Sequence, residues 1–461
     1  MNRKIVFILS VLLIAVCYIA EAADLTVTVY NQDFAVIKEK LIIDMKDKIF
    51  EYIHKDIPSS IVPTSVKLYS LKNVNGITIL DQNYIYDLVS KEKLMAKFID
   101  KEIEIQMERK FFKGILLSSA GDNSEGGSYI LKTEEGIVSI DPGKSDYIKY
   151  PDLPEGLITR PSLKWKIKTN EPGLNECGLL YETKNIGWSA EYVAVLKEND
   201  SKLDIKGWVN INNNTSKTFE NAKLKLMAGD VGRVHDNIPR YEKKRNMVMM
   251  AAEAEDAQPS FAEKEFFEYH LYSLNVPADL LSNSEKQLSL IESNDIPVTK
   301  NYIFDVMKDL KKICIFIEFE NTKKNNAGFA LPGGKVRVNK MDSEDGSLEF
   351  IGEDKIEHTP ENDKISLMLG KAFDVKADRI QKNYKRYSNE RWEETYEITL
   401  INSKSEDVSV KVRENMNGYK NWKINSNNYP FKKNNSRQTE FEVKIPSKDK
   451  KVLTYTVEYS D

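Results

Sequence analysis

Four histidines are spread through this chain of 461 residues, at His54, His235, His270 and His358. None stands in a two-histidine helical metal motif, there is no CxxC, and zinc therefore has no support in the spacing. The segment Gly187-Trp188-Ser189-Ala190-Glu191 begins like a nucleophile elbow, but it places Glu where the closing Gly belongs and runs on into a strand pattern. Ser90-Lys91-Glu92-Lys93 has a serine-lysine spacing, yet a serine ahead of a short helical run is a helix cap. Asp342-Ser343-Glu344-Asp345-Gly346 lacks the alternating ligands of a calcium loop and reads as a hairpin turn with Gly346 in the left-handed region. Carboxylates are too numerous to single out an acid/base pair, so the sequence names no catalytic, cofactor-binding or metal-binding residue.

What remains concerns contact. In the run 202–209, Leu203, Ile205 and Val209 share one strand face, which leaves Trp208 on the polar face beside Lys206 and Asn210. A Trp in that position is a candidate platform for a sugar or a protein partner. Met247, Met249 and Met250 lie in a stretch rich in Met, Ala, Glu and Lys that breaks the surrounding pattern; we expect a mobile insertion at 239–262 whose methionines offer adaptable contacts. Cys177 and Cys314 each border an apolar run, where two buried free thiols are the simpler expectation and an oxidising compartment would let them pair.

The elements that position these residues are strands. Val408, Val410 and Val412 share a face, as do Phe441, Val443 and Ile445, and Leu453, Tyr455, Val457 and Tyr459, with polar residues mostly between them. Period-two alternation of this kind marks half-buried antiparallel strands. Three strands end in Asn followed by Thr or Ser, at Asn214-Thr215, Asn321-Thr322 and Asn402-Ser403, where such side chains bond nearby backbone and close a turn. If the source organism glycosylates, Asn213 or Asn214 would be the acceptor. The expected fold is mainly β: antiparallel β-sandwich domains, a small β-barrel-like amino-terminal part with a meander near 114–140, and one or two short helices. We expect a domain boundary near 165, with an amino-terminal β domain at 23–160 and a β-sandwich region at 165–461.

The amino terminus predicts a compartment. Arg3 and Lys4 precede an uncharged apolar run over 5–19 and then Ala20-Glu21-Ala22, the pattern of a secretory signal peptide at 1–22 cut before Ala23. Val16 ahead of Cys17 does not suit lipid modification. The expectation is an extracytoplasmic protein, secreted or periplasmic, with no spanning segment after cleavage. The charge of −4 is nearly balanced and gives no electrostatic reason to expect nucleic acid.

From about Trp165 onward the segments GWSAEYVAVL, LDIKGWVNINNNTSKTFENAKLKLMAGDV, LPGGKVRVNK, GSLEFIGEDKIEHTP and YEITLINSKSEDVSVKVRENM, in that order, resemble the family called domain of unknown function 4139. YNQDFAVIKEK, near the amino terminus, is similar to its secreted bacterial members, and the carboxyl-terminal half is distantly similar to mucoidy-inhibitor relatives. The resemblance implies a β-rich exported protein and carries no reaction, cofactor or catalytic residue; His270 and His358 fall in family-like segments without a role. The reading is of a non-enzymatic envelope or secreted protein that binds a protein or a glycan. The alternatives are a hydrolase of envelope polymers, whose carboxylates converge only in three dimensions, and an architectural spacer.

Overall fold

The computed structural model describes residues 25–119, 128–197, 199–233, 261–416 and 421–460. The expected signal peptide at 1–22, residues 120–127 within the expected meander, His235 and nearly all of the expected insertion at 239–262, with Met247, Met249 and Met250, lie outside them.

The molecule is mainly β, built from open antiparallel and mixed sheets with one α-helix among the described residues. The alternation seen in the sequence is the cause. Leu203, Ile205, Val209 and Ile211 are all buried, as are Val408, Val410 and Val412 and the matching sets on 438–445 and 450–460. Gly207 keeps the first of these strands in phase: a Cβ there would come within 2.7 Å of Ile291 and 2.9 Å of Tyr192.

The expected boundary near 165 falls inside the strand Ser162–Thr169 and separates nothing. Leu25–Tyr30 runs parallel to Phe219–Ala228, and Phe34–Met45 pairs antiparallel with Gly173–Lys184 over its whole length. Ser162–Thr169 is itself the middle strand between Ile49–Lys55 and Ile77–Ile85. Alternation tells that a strand is half-buried but not which strand it bonds, so the amino-terminal strands could not be assigned to this shared core from pattern alone.

What stands apart in the amino-terminal third is smaller. The helix Lys91–Lys97, capped by Ser90 accepting from Lys93 N at 3.3 Å, packs Met95 with Phe98 onto a sheet formed by residues 102–149 and its own core. That sheet keeps two unpaired edges, Ser145–Lys149 and Gly136–Ile140, so it is an open meander and not a closed barrel.

One large core joins the amino-terminal strands to the five-stranded sheet that contains Ile186–Leu196 and Lys202–Asn213. A second core lies in the nine-stranded carboxyl-terminal sheet, where Lys364–Arg386 pairs first with Lys312–Glu320 and then with Arg391–Asn402. Three fully buried asparagines pin the strand ends. Asn213 donates to Lys217 O, Leu280 O and Leu281 O; Asn321 donates to Phe329 O and Pro360 O; Asn402 donates to Glu406 O, Ile445 O and Pro446 O. The first corner therefore turns on Asn213 and not Asn214, and its bonded, buried amide is closed to glycosylation. Among the described residues no helix is long and apolar enough to cross a membrane.

Candidate functional site

Trp208 lies on the outward face of its strand, between Glu191 and Ser289 on the neighbouring strands, and is half-buried. The Lys206 ammonium sits 5.2 Å from its ring centroid, so one approach to the indole is already taken by a cation of its own strand. Around it runs a ladder of alternating charge: Lys206 to Glu292 at 3.3 Å, Glu191 to Arg337 at 2.8 Å, and Arg337 to Glu353 at 3.6 Å.

The two thiols do not pair. Cys177 belongs to the large core and Cys314 to a small cluster with Ile303 and Phe316, and both are free and buried. Burial raises both thiol pKa values, which leaves them inert as nucleophiles. Asp342–Gly346 is a turn: the Asp342 carboxylate accepts from Glu344 N at 2.9 Å and Gly346 has φ 75°. His270 Nδ1 meets Glu263 at 2.7 Å, and His358 Nδ1 accepts from Gly333 N at 3.1 Å while burial lowers its pKa. Among the described residues no three His, Cys, Asp or Glu side chains gather as a metal site would require.

The polar cluster that does converge was not singled out from the sequence. Glu39 on Phe34–Met45, His54 on Ile49–Lys55, Tyr181 on Gly173–Lys184 and Lys217 after the Asn213 corner meet at one end of the large core. Lys217 Nζ donates to Glu39 Oε1 at 2.8 Å and the Tyr181 hydroxyl donates to the same oxygen at 3.0 Å. His54 Nε2 lies 3.3 Å from Glu39 Oε2, a close contact without hydrogen-bond alignment. Burial pushes the Glu39 carboxyl up, but the contacts and charges of His54 and Lys217 outweigh it and hold the group down at about 2. Burial first, then the Glu39 charge, puts the Tyr181 hydroxyl well above its ordinary value, so it remains a donor.

The cluster opens onto a hollow of about 750 Å³ lined also by Lys40, Asp56, Ser59, Arg160, Ser216 and Glu220. At an exposed part of the lining, Ser59 N donates to Ser216 Oγ at 3.0 Å. Two of these inward polar side chains had a sequence signal. Glu39 stands in the same phase as Ile37 and Ile43, and His54 in the phase of Phe50 and Tyr52, positions that an alternating strand normally gives to apolar residues.

A second charged cluster lies inside the carboxyl-terminal core. Arg379 Nε and Nη2 donate to the two Glu414 oxygens at 2.8 and 3.0 Å, and the guanidinium stacks 3.7 Å from the Tyr396 ring centroid. Burial raises the Glu414 carboxyl pKa and the Arg379 bonds offset this in part. Glu414 is buried among the strands of the second core, so the pair is interior structure.

Compared with curated proteins, the chain has no match. Residues 178–460 match the family model described as Domain of unknown function (DUF4139). That stretch takes in the strand bearing Tyr181, the Asn213 corner with Lys217 and the whole carboxyl-terminal sheet, and the chain belongs to the DUF4139 family.

Proposed function

We propose that this is an exported, non-enzymatic binding protein, acting at the cell envelope or in the medium around it, whose partner is a protein or a glycan. The observation that carries this reading is how Glu39 is held: Lys217 Nζ at 2.8 Å and the Tyr181 hydroxyl at 3.0 Å share one of its oxygens beside the hollow. A carboxyl held at about 2 stays anionic at neutral pH, and it is already occupied by Lys217, Tyr181 and His54. General acid catalysis asks for the reverse, a carboxyl whose pKa lies near the working pH. A locked anion inside a polar hollow suits fixed contacts to a ligand.

The hydrolase reading needs two carboxylates facing across a cleft, one of them raised by burial. Glu414 is raised, but it is spent on Arg379 inside the carboxyl-terminal core, away from the hollow. The export half of the proposal rests on the amino-terminal pattern of Arg3, Lys4 and the apolar run that follows.

Two measurements test the reading together. The chain, expressed from its full gene, is expected outside the cytoplasm with Ala23 as its first residue; retention in the cytoplasm at full length would remove the export half. The immobilised mature chain, incubated with envelope fractions of the parent organism, is expected to retain one protein or polymer reproducibly and to release no fragments from it. Fragment release that disappears in Glu39→Gln would replace binding by hydrolysis.

A further inference from the structure

We infer that the hollow beside Glu39 is the binding site of a neutral oligosaccharide; this rests on the binding reading above and deepens it by naming the ligand class and the place. The lining is charged but carries no net charge, since the cations Lys40, Arg160 and Lys217 are matched by Glu39, Asp56 and Glu220. Most of these charges are already paired. Lys217 meets Glu39 at 2.8 Å, Arg160 meets Asp56 at 3.0 Å, and Lys40 meets Glu176 at 3.4 Å. A phosphate or an acidic polymer would have to compete for those cations and would face the anions beside them. A neutral, hydroxyl-rich ligand meets both signs without breaking a pair, because each sugar hydroxyl donates to one neighbour and accepts from another.

The rest of the lining has the same character. Ser59 and Ser216 hold each other by hydroxyl contact at 3.3 Å, a weak bond that ligand hydroxyls replace at little cost, and Thr159 and Thr218 add two more hydroxyl-bearing residues. Lys217 uses one N–H on Glu39, and its ammonium carries three donors in all.

Beside the hydroxyls stand aromatic rings. Next to the lining, the Tyr84 hydroxyl donates to Ser59 O at 3.2 Å, and Tyr86 stacks on Tyr84 at 5.2 Å between centroids; the two rings adjoin the lining residues Ser59 and Leu88 and do not themselves line the hollow. Tyr86 is 66% exposed although it is large and partly apolar, and the chain turns tightly from it to Leu88, itself part of the lining. A ring with a polar tip beside hydroxyls and carboxylates is the arrangement that grips the C–H face and the O–H edge of a sugar ring together. The volume of about 750 Å³ lies within the range of roughly 300–1,000 Å³ usual for ligand sites and exceeds what one sugar ring fills.

Titration calorimetry on the mature full chain tests this, with neutral tetrasaccharides of glucose, N-acetylglucosamine, mannose and galactose as probes against tetragalacturonate and inorganic phosphate. At least one neutral tetrasaccharide is expected to bind with Kd below ~1 mM. Tyr86→Ala and Ser216→Ala, both at exposed positions, are each expected to weaken that binding by ~5-fold or more, about 1 kcal/mol, with thermal unfolding unchanged and Trp208→Ala without effect. Binding of tetragalacturonate or phosphate alone would overturn the inference, as would no binding by any probe; in the last case a retained envelope protein would still sustain the broader binding reading. Neutral binding that survives both variants and is lost in Trp208→Ala would overturn the assignment to the hollow and move the glycan to the outward sheet face.

Discussion

Glu39 and Glu414 have both been taken out of water and set among a cation and tyrosines, yet the balance of forces on them has opposite sign. Glu39, with 11% of its side chain exposed, touches Lys217, Tyr181 and His54 from three separate strands or corners. Glu414, with 1% exposed, meets Arg379 through two parallel bonds. For each, burial is the largest influence and raises the pKa. At Glu39 the contacts overcome it and the carboxyl falls from 4.5 to about 2; at Glu414 they do not and it stays raised. A rim site that keeps some water loses less on desolvation, so a comparable set of contacts leaves a net preference for the ion. The Arg379–Glu414 pair is a costly piece of interior structure, whereas Glu39, at the hollow, is held ionised by partners of its own beside the place a ligand would take.

The largest expected effect tests the dry side. Glu414→Ala leaves the half-buried Arg379 guanidinium without its counterion and should cost about 3 kcal/mol in urea unfolding. Replacing both members, as Arg379→Leu with Glu414→Leu, removes the desolvation cost together with the pair and should fall within about 1 kcal/mol of the parent. A double variant as damaged as the single one would show that the pair contributes net stability, and the contrast with Glu39 would collapse.

Next in size is Glu39→Gln. Because the folded carboxyl is depressed, its contribution is full above the unfolded value near 4.5 and is lost as pH falls through about 2. The shift corresponds to at most about 3 kcal/mol at neutral pH. The difference in unfolding free energy between parent and Glu39→Gln should therefore shrink steadily between about pH 4.5 and 2. Glu414 acts in the other direction, since a raised folded carboxyl gives up stability as pH rises through its folded value. A difference that stayed constant on acidification would mean that Glu39 is not held ionised by its neighbours, and with it the main support for a binding site would go.

Much of this architecture was readable from alternation. The faces of Val408, Val410 and Val412 and of Leu203, Ile205, Val209 and Ile211 are buried as their spacing requires, and Ser90 caps its helix. Pairing was not readable, because the partner of Phe34–Met45 lies at 173–184, and a twelve-residue alternation carries no address for its neighbour. Trp208 was placed on the correct face, while the ammonium above its ring came from Lys206, two residues earlier and on the same side. Both charged clusters were foreshadowed by a signal of one kind. Glu39 continues the inward phase of Ile37, and Glu414 continues that of Val408, Val410 and Val412, just as Arg379 continues that of Val375 and Ala377. A charge in the apolar phase of a strand has to be met by another charge or an exposed end, and which of these applies depends on strands far away in sequence.

The smallest effects separate what a tyrosine contributes at the two sites. Tyr181 acts on Glu39 through its hydroxyl, a 3.0 Å bond to an oxygen that also serves Lys217. Tyr181→Phe keeps the ring and its packing, so the loss should be about 1 kcal/mol, and the Glu39 titration should move upward because one stabilising donor to the anion is gone. Tyr396 instead meets Arg379 with its ring at 3.7 Å and sends its hydroxyl to Glu394 at 2.8 Å, at a half-buried position. Tyr396→Phe should then cost less than about 0.5 kcal/mol, whereas Tyr396→Leu, which removes the face under the guanidinium, should cost about 1 kcal/mol. Equal losses for the two Tyr→Phe variants in urea unfolding would mean that the Tyr181 hydroxyl does nothing to hold Glu39 as an anion. A larger loss for Tyr181→Phe, accompanied by the upward titration, would fix the rim cluster as a hydrogen-bonded anion whose charge depends on each of its donors.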